Sequence, residues 1–120
     1  MLNLDTHILL YVIPGRLTAR ERKIAEADRE WGISAIVLWE IEMLHQHRRI
    51  PHGLDDPLLK SLLSRIEILP LSREVCLKLR ALDFKSDPAD QIIAATSLAY
   101  KIPLLTRDAR IRTSKVVRCL

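Results

Sequence analysis

The sequence of 120 residues has few of the residue types that serve stacking surfaces or flexible linkers. Phe, Trp and Tyr together make up 4% of the chain, and only three glycines are present. Scarce aromatics argue against a protein that reads single-stranded bases mainly by stacking. Scarce glycine and the lack of low-complexity tracts leave little room for long linkers, so we expect one compact domain over residues 1–120.

Cysteines and long apolar runs are also scarce. Cys76 and Cys119 are the two cysteines, and neither belongs to a C-x-x-C pair. This pattern favours free thiols over a disulfide. The apolar run at residues 8–13 is too short to cross a bilayer, and residues 1–5 lack the basic residues of a signal peptide. We therefore expect a cytoplasmic protein without membrane contact.

The charge balance is basic, with nineteen Lys and Arg residues against fifteen Asp and Glu residues. A polyanionic partner bound through its backbone is compatible with this balance but is not required by it. Basic side chains crowd the end of the chain, at Arg107, Arg110, Arg112, Lys115 and Arg118. Phosphate binding and plain solubility explain this cluster equally well.

Short apolar segments alternate with helical patterns along the whole chain. We predict strands at residues 2–4, 32–34, 67–71 and 103–106, with residues 116–119 as a candidate fifth. Helices are predicted between them, at residues 7–12, 20–30, 35–47, 55–66, 72–83 and 89–100. This alternation is typical of a parallel sheet with right-handed crossovers. The predicted fold is α/β, a three-layer α/β/α sandwich around a parallel sheet of four to five strands.

Four acidic residues stand beside or inside apolar runs, namely Asp5, Glu40, Asp90 and Asp108. Asp5 and Asp108 follow predicted strands, Asp90 lies in the first turn of a helix, and Glu40 has only apolar neighbours at helical spacing. In a parallel sheet, ligands bind beyond the carboxyl ends of the strands, where crossover helices begin. The four carboxylates can therefore meet at one edge, where Mg²⁺ or Mn²⁺ would neutralise them.

Each acid also has a structural interpretation. Asp5 and Asp108 suit helix N-caps, and Asp87 with Pro88 and Asp90 resembles a capping box. A buried arginine partner is the alternative for Glu40, because an unpaired carboxylate on an apolar helix face is costly. Thr6 and Thr106 border two of the acids and are candidates for supporting hydrogen bonds.

The motifs together resemble the PIN-domain ribonucleases, and among them the VapC-type toxins of bacterial and archaeal toxin–antitoxin pairs. The similarity covers essentially the whole chain and rests on four segments, at residues 4–10, 33–41, 87–94 and 105–108. Carried over by position, the metal-binding and catalytic acids of that family fall on Asp5, Glu40, Asp90 and Asp108. The polar position beside the last acid falls on Thr106. Arg107, the next residue, is a candidate for supporting the acids or contacting the substrate.

The resemblance implies further properties. The sheet order would be 3-2-1-4-5, the protein a homodimer and the substrate RNA, and a cognate antitoxin would wrap the toxin and block its site. The implied activity is an Mg²⁺- or Mn²⁺-dependent endoribonuclease acting as the toxin of a type II toxin–antitoxin pair.

Two other functions remain open from the residues alone. A phosphatase or phospho-acceptor domain also places an Asp after its first strand, although His7 stands where the dehalogenase type has a second acid. A non-catalytic binding module would use the acids only as caps and ion-pair partners.

Overall fold

The computed structural model describes all 120 residues and is built around a parallel sheet of four strands in the order β3-β2-β1-β4. The strands are β1 (Leu2–Leu4), β2 (Trp31–Ser34), β3 (Glu67–Leu69) and β4 (Leu104–Leu105). Central β1 pairs with β2 on one side and β4 on the other. All three residues of β1 are buried, because helices cover both faces of the sheet. The predicted α/β sandwich is confirmed.

Seven α-helices connect and flank the strands. They are α1 (Thr6–Val12), α2 (Ala19–Ala27), α3 (Ile36–Gln46), α4 (Pro57–Leu63), α5 (Arg73–Lys78), α6 (Pro88–Tyr100) and α7 (Ala109–Arg112). A 3₁₀ turn, Leu79–Ala81, continues α5. None of these helices combines the length and the apolar character that crossing a membrane requires.

Side-chain caps fix where most of these helices begin. The sequence pattern of Thr18 followed by Glu21 three residues later predicts a capping box, and the structure contains the full capping box at the start of α2. Asp56 accepts hydrogen bonds from two backbone amides at the start of α4, and Ser72 accepts one at α5. Asp87 stands at the N-cap position of α6, but its side chain accepts no capping hydrogen bond, so the predicted capping box is wrong there.

The predicted fifth strand is reduced to a single bridge. Leu104 pairs in parallel with Cys119, with its amide donating to the carbonyl of Arg118 at 2.9 Å and its carbonyl accepting from the amide of Leu120 at 3.0 Å. The bridge lies on the free edge of β4, which agrees with the implied order. Since β4 itself has only two residues, its edge offers too few free groups to pair a longer strand.

Helix α3 is less buried than its apolar sequence indicated. Val37 and Ile41 are its fully buried residues, whereas the Trp39 side chain is 55% exposed. The nearly continuous apolar sequence from Ala35 through Leu44 predicts a helix buried on most of its circumference, and this prediction was wrong. The helix contacts α1 and α6 along one face, so only residues at that face enter the core.

The left-handed residue that ends α6 yields a stability prediction. Lys101 has φ 55° and ψ 46°, a conformation that glycine adopts without the strain of a side chain. We expect Lys101→Gly to raise the free energy of unfolding by up to about 1 kcal/mol, or about 4 °C in Tm. Urea and thermal denaturation measure this change. Lys60→Gly inside α4 is the matched control, and we expect it to lower stability by about 1 kcal/mol. A Lys101→Gly variant that is less stable than the parent would contradict the claim that this backbone conformation strains Lys101.

Candidate active site

The carboxyl ends of β1, β2 and β4 form one edge of the sheet, and the four predicted acids lie around it. Asp5 directly follows β1, and its backbone amide donates to the carbonyl of Leu105 at the end of β4 at 3.1 Å. Helix α3, which carries Glu40, leaves the end of β2, while α6 begins near the same edge with Asp90 in its first turn. Asp108 caps the short helix that follows β4.

Asp5 is buried, with 5% of its surface exposed, and both of its carboxylate oxygens accept hydrogen bonds. Oδ1 accepts from the Thr6 amide at 2.8 Å, and Oδ2 accepts from Thr106 Oγ1 at 2.5 Å. Burial raises the pKa of Asp5 above its ordinary value, and the charge of Asp108 raises it further, whereas the two hydrogen bonds lower it. Asp5 thus caps α1, but capping alone does not account for its surroundings.

Glu40 is half-buried and has no cationic partner. Its Oε1 accepts a hydrogen bond from Thr6 Oγ1 at 2.5 Å, and it takes part in none of the ion pairs of the structure. Burial raises the pKa of Glu40, and the charges of Asp90 and Asp5 add to that rise. The buried arginine that would have made Glu40 a structural residue is therefore absent.

Asp90 is held by a residue that the sequence analysis did not single out. Ser86 Oγ donates to Asp90 Oδ2 at 2.9 Å. Burial raises the pKa of Asp90, and the charges of Asp5, Asp108 and Asp87 contribute in the same direction. A hydroxyl residue four positions before an acid is common, so no sequence pattern distinguishes Ser86.

Asp108 performs a structural role and also belongs to the charge cluster. Its Oδ1 accepts from the Ile111 amide at 3.0 Å and so caps α7. Its own backbone amide donates to Thr106 Oγ1 at 3.0 Å. Because its charge raises the pKa of both Asp5 and Asp90, it is close enough to influence them.

The four carboxylates share an edge without converging on one point. No group of three or more His, Cys, Asp or Glu side chains is arranged so that it could hold a metal ion. Each of Asp5, Glu40 and Asp90 is turned toward a hydroxyl, donated by Thr106, Thr6 and Ser86 respectively. The chemistry of the donors nevertheless fits a hard divalent cation, since the oxygens are anionic and no basic side chain neutralises them.

Arg107 is engaged elsewhere than at the acids. Its guanidinium pairs with the carboxylate of Glu21, and it stacks over the Tyr11 ring with its central carbon 4.4 Å from the ring centre. Glu21 is 6% exposed, although a charged run such as residues 20–30 is typical of a surface helix. The partners are 86 residues apart, which is why the sequence did not reveal the pair.

A surface cavity of about 630 Å³ is lined by none of the four acids. The cavity lies between α1 and the segment from the end of α3 to α4. Of the residues that line it, His7 is the one closest to Asp5 along the chain. His7 is exposed and forms no ion pair with the acids, so its charge lowers the pKa of Asp5 and Glu40 without outweighing the rise caused by burial. We locate the candidate site at the carboxylates, where the chemistry is, rather than in this cavity.

Comparison with known proteins identifies relatives over almost the whole chain. A family model described as PIN domain matches residues 3–115. Ribonuclease VapC22 of Mycobacterium tuberculosis is 28% identical, with 93% of this chain and 90% of that protein covered. The resemblance drawn from the sequence motifs is thereby confirmed.

Solved structures of similar fold include toxin–antitoxin complexes. VapBC2 from Rickettsia felis, bound to a DNA fragment from its promoter, has a TM-score of 0.75 at 20% identity and covers 100% of this chain and 98% of its own. A toxin–antitoxin complex from Klebsiella pneumoniae has a TM-score of 0.71 at 24% identity, with 92% and 88% covered. At these identities the likeness concerns the fold.

The raised pKa of Glu40 predicts how stability depends on pH. A carboxyl group whose pKa is higher in the folded than in the unfolded chain binds its proton more tightly when folded, so stability rises as pH falls through that range and is lost as pH rises. In the presence of chelator, we expect the free energy of unfolding of the parent to increase when the pH is lowered from about 7 to about 5. The increase should be smaller in Glu40→Gln, which lacks this titrating carboxyl group. Urea denaturation at each pH gives the values.

Glu42→Gln is the matched control, because Glu42 lies on the same helix and accepts only a 3.4 Å hydrogen bond from Gln46. Its pH dependence should follow that of the parent. Equal slopes for the parent and Glu40→Gln would contradict the burial argument.

Proposed function

Because the chain belongs to the PIN-domain family, we propose that it is a metal-dependent endoribonuclease, the toxin component of a type II toxin–antitoxin pair. One observation carries the proposal. Asp5, Glu40 and Asp90 come from three elements to one edge of the sheet, each has its pKa raised by the charge of at least one other acid, and no cationic side chain neutralises them.

The acidic residues have distinct roles in this proposal. Asp5, Glu40 and Asp90 would hold a divalent ion, Mg²⁺ or Mn²⁺, while Asp108 completes the cluster. When bound, such an ion supplies a Lewis acid that activates water and stabilises negative charge on the phosphate in the transition state. Since the carboxylates face hydroxyl donors, their side chains must reorient to share one ion.

The hydroxyl residues keep the acids in place without neutralising them. Thr6 joins two acids, because its amide donates to Asp5 and its hydroxyl donates to Glu40. Thr106 joins Asp5 to the backbone of Asp108. Such supporting contacts orient ligands and influence metal affinity in proteins generally.

RNA and an antitoxin protein are the partners in this proposal. The relative VapC22 is named a ribonuclease, and similar structures from Rickettsia felis and Klebsiella pneumoniae are complexes of toxin with antitoxin. The net charge of +4 favours a polyanionic substrate. A homodimer stays a prediction from the family resemblance.

The two alternative functions fit the structure less well. A phospho-acceptor needs an accessible carboxylate as nucleophile, whereas Asp5 is buried with both oxygens hydrogen-bonded. A module that used its acids only for caps and ion pairs would not need Glu40, which does neither. The ribonuclease is therefore the function that uses all the acids.

Metal dependence and the role of Asp5 can be tested together. We expect purified protein to cleave RNA with Mg²⁺ or Mn²⁺ and not in excess chelator. Asp5→Asn keeps the shape of the side chain and removes its charge, so cleavage should fall by at least about a hundredfold while the chain stays folded by circular dichroism. Asp55→Asn changes an exposed acid that does not contribute to the raised pKa values of the site, and as the control it should cleave normally. Undiminished cleavage in chelator would refute the proposal.

The supporting role of Thr106 gives a second test. Thr106→Val keeps the volume of the side chain but removes the hydroxyl that contacts Asp5 and Asp108. We expect a loss of about tenfold to about a hundredfold in apparent metal affinity, measured by titrating activity with Mn²⁺. Thr113→Val is the control, since Thr113 Oγ1 contacts only the carbonyl of Arg110. An unchanged metal titration for Thr106→Val would remove Thr106 from the site.

A further inference from the structure

Arg107 and Glu21 form a two-point ion pair between the end of β4 and helix α2. Nε and Nη2 of Arg107 donate to Oε2 and Oε1 of Glu21, both at 2.6 Å. Nη2 also donates to the carbonyl of Arg16 at 3.1 Å, and the guanidinium lies over the ring of Tyr11. A single side chain therefore connects β4 with α1, with the loop between α1 and α2, and with α2 itself.

Glu21 depends on this contact to remain buried as an anion. Hydrogen bonding from Arg107 is the largest cause that lowers the pKa of Glu21 to about 2, and its Oε1 accepts a further bond from the Thr18 amide at 2.8 Å. The Glu21 side chain is 8% exposed whereas that of Arg107 is 38% exposed, so removing Arg107 would leave a buried carboxylate without its charged partner, which destabilises a protein. The pair consequently resists opening at neutral pH.

The same contacts restrict what Arg107 can bind. Three of its N–H bonds point at Glu21 and Arg16, and Tyr11 covers one face of the guanidinium. Bidentate recognition of a phosphate uses the same fork of N–H groups that Glu21 occupies. Arg107 therefore cannot use its Nε–Nη2 fork on an RNA phosphate without releasing Glu21, and only the two N–H groups of Nη1 have no partner.

The pair is attached to the active site through the backbone. Arg107 stands between Thr106, whose hydroxyl contacts Asp5 at 2.5 Å, and Asp108, whose amide donates to that same hydroxyl at 3.0 Å. Any shift of this three-residue segment would move both contacts. The ion pair with Glu21 on α2 holds Arg107, and with it the segment of residues 106–108.

We propose that the Arg107–Glu21 pair, backed by the Tyr11 ring, is a positioning device that holds residues 106–108 in register with Asp5, and is not a phosphate-binding site. The catalytic part of this inference rests on the ribonuclease function proposed above. Glu21 and Arg107 are thus positioning residues, since they reach the acids only through Thr106 and Asp108.

Neutralising either partner tests the proposal. We expect Glu21→Gln and Arg107→Gln each to lower kcat for RNA cleavage by about tenfold to about a hundredfold, because small misplacements of catalytic groups have effects of this size. The KM for RNA should change by less than about twofold, and its dependence on salt should keep its slope. The double variant should lose no more kcat than the worse single variant, since both changes remove one contact.

Two further variants complete the set. Arg22→Gln, on the exposed side of α2, removes the same charge as Arg107→Gln without touching the pair and should behave like the parent. Arg107→Lys keeps the charge but lacks the fork, so we expect only partial activity. Because Arg107→Gln leaves Glu21 buried and unpaired, Glu21→Gln and the double variant decide the question if Arg107→Gln does not fold. All activities are compared at a temperature where circular dichroism shows folded protein.

A phosphate-binding role for Arg107 predicts the opposite pattern. Arg107→Gln would then raise KM and reduce the salt slope by about 0.7, the value for one contact to a single strand. Glu21→Gln would release Arg107 toward RNA and lower KM. Either this pattern or a parental kcat in folded Glu21→Gln would overturn the proposal.

Amide hydrogen exchange provides a readout that does not need activity. The Asp108 amide, which donates to Thr106, should exchange about tenfold faster in Glu21→Gln than in the parent or in Arg22→Gln. Unchanged exchange would overturn the proposal. If the parent cleaves no RNA with any divalent metal, the proposed function fails, while the exchange rates still decide whether the pair positions residues 106–108.

Discussion

A carboxylate buried at the end of the central strand constrains the arrangement around it. Asp5 follows β1, which is covered on both faces, so its negative charge has little contact with water. Two donors satisfy its oxygens, the amide of Thr6 and the hydroxyl of Thr106. Those donors come from the first turn of α1 and from the end of β4, and they fix both elements at the same edge. The charge itself remains, and the other acids lie close enough to add to its unfavourable energy rather than relieve it.

The chain contains a useful internal comparison between two glutamates. Glu21 is buried and Glu40 is half-buried, yet the pKa of Glu21 falls to about 2 whereas the pKa of Glu40 rises. The difference lies in the partner, which is the guanidinium of Arg107 for one and the hydroxyl of Thr6 for the other. The guanidinium of Arg107 neutralises the carboxylate of Glu21, which then has a structural role. A hydroxyl satisfies a lone pair and leaves the full charge in place, so Glu40 keeps the capacity to bind a cation.

The sequence predicted features that depend on local order along the chain. The ends of strands, the helical face of Glu40 and the capping box at Thr18 all follow from neighbours within about four residues, where periodicity and capping rules apply. Contacts that join distant segments were not predictable, because no rule links Glu21 to a residue 86 positions away. The prediction that α3 would be buried on most of its circumference was wrong for a related reason. Its sequence is apolar on several sides, and only packing against α1 and α6 decides which side is buried.

The choice of hydroxyls as supports has a consequence for how the site is assembled. An arginine beside Asp5 or Asp90 would hold the carboxylate firmly, but it would compete with a divalent cation for the same oxygens and reduce the negative potential that attracts one. Thr6, Thr106 and Ser86 avoid this conflict, since each hydroxyl gives one hydrogen bond and carries no charge. Arg107, which directly precedes Asp108 in the sequence, forms its ion pair with Glu21 instead. The ion pair, in which the Arg107 side chain stays 38% exposed, therefore anchors the end of β4 and gives the guanidinium a partner other than the four acids.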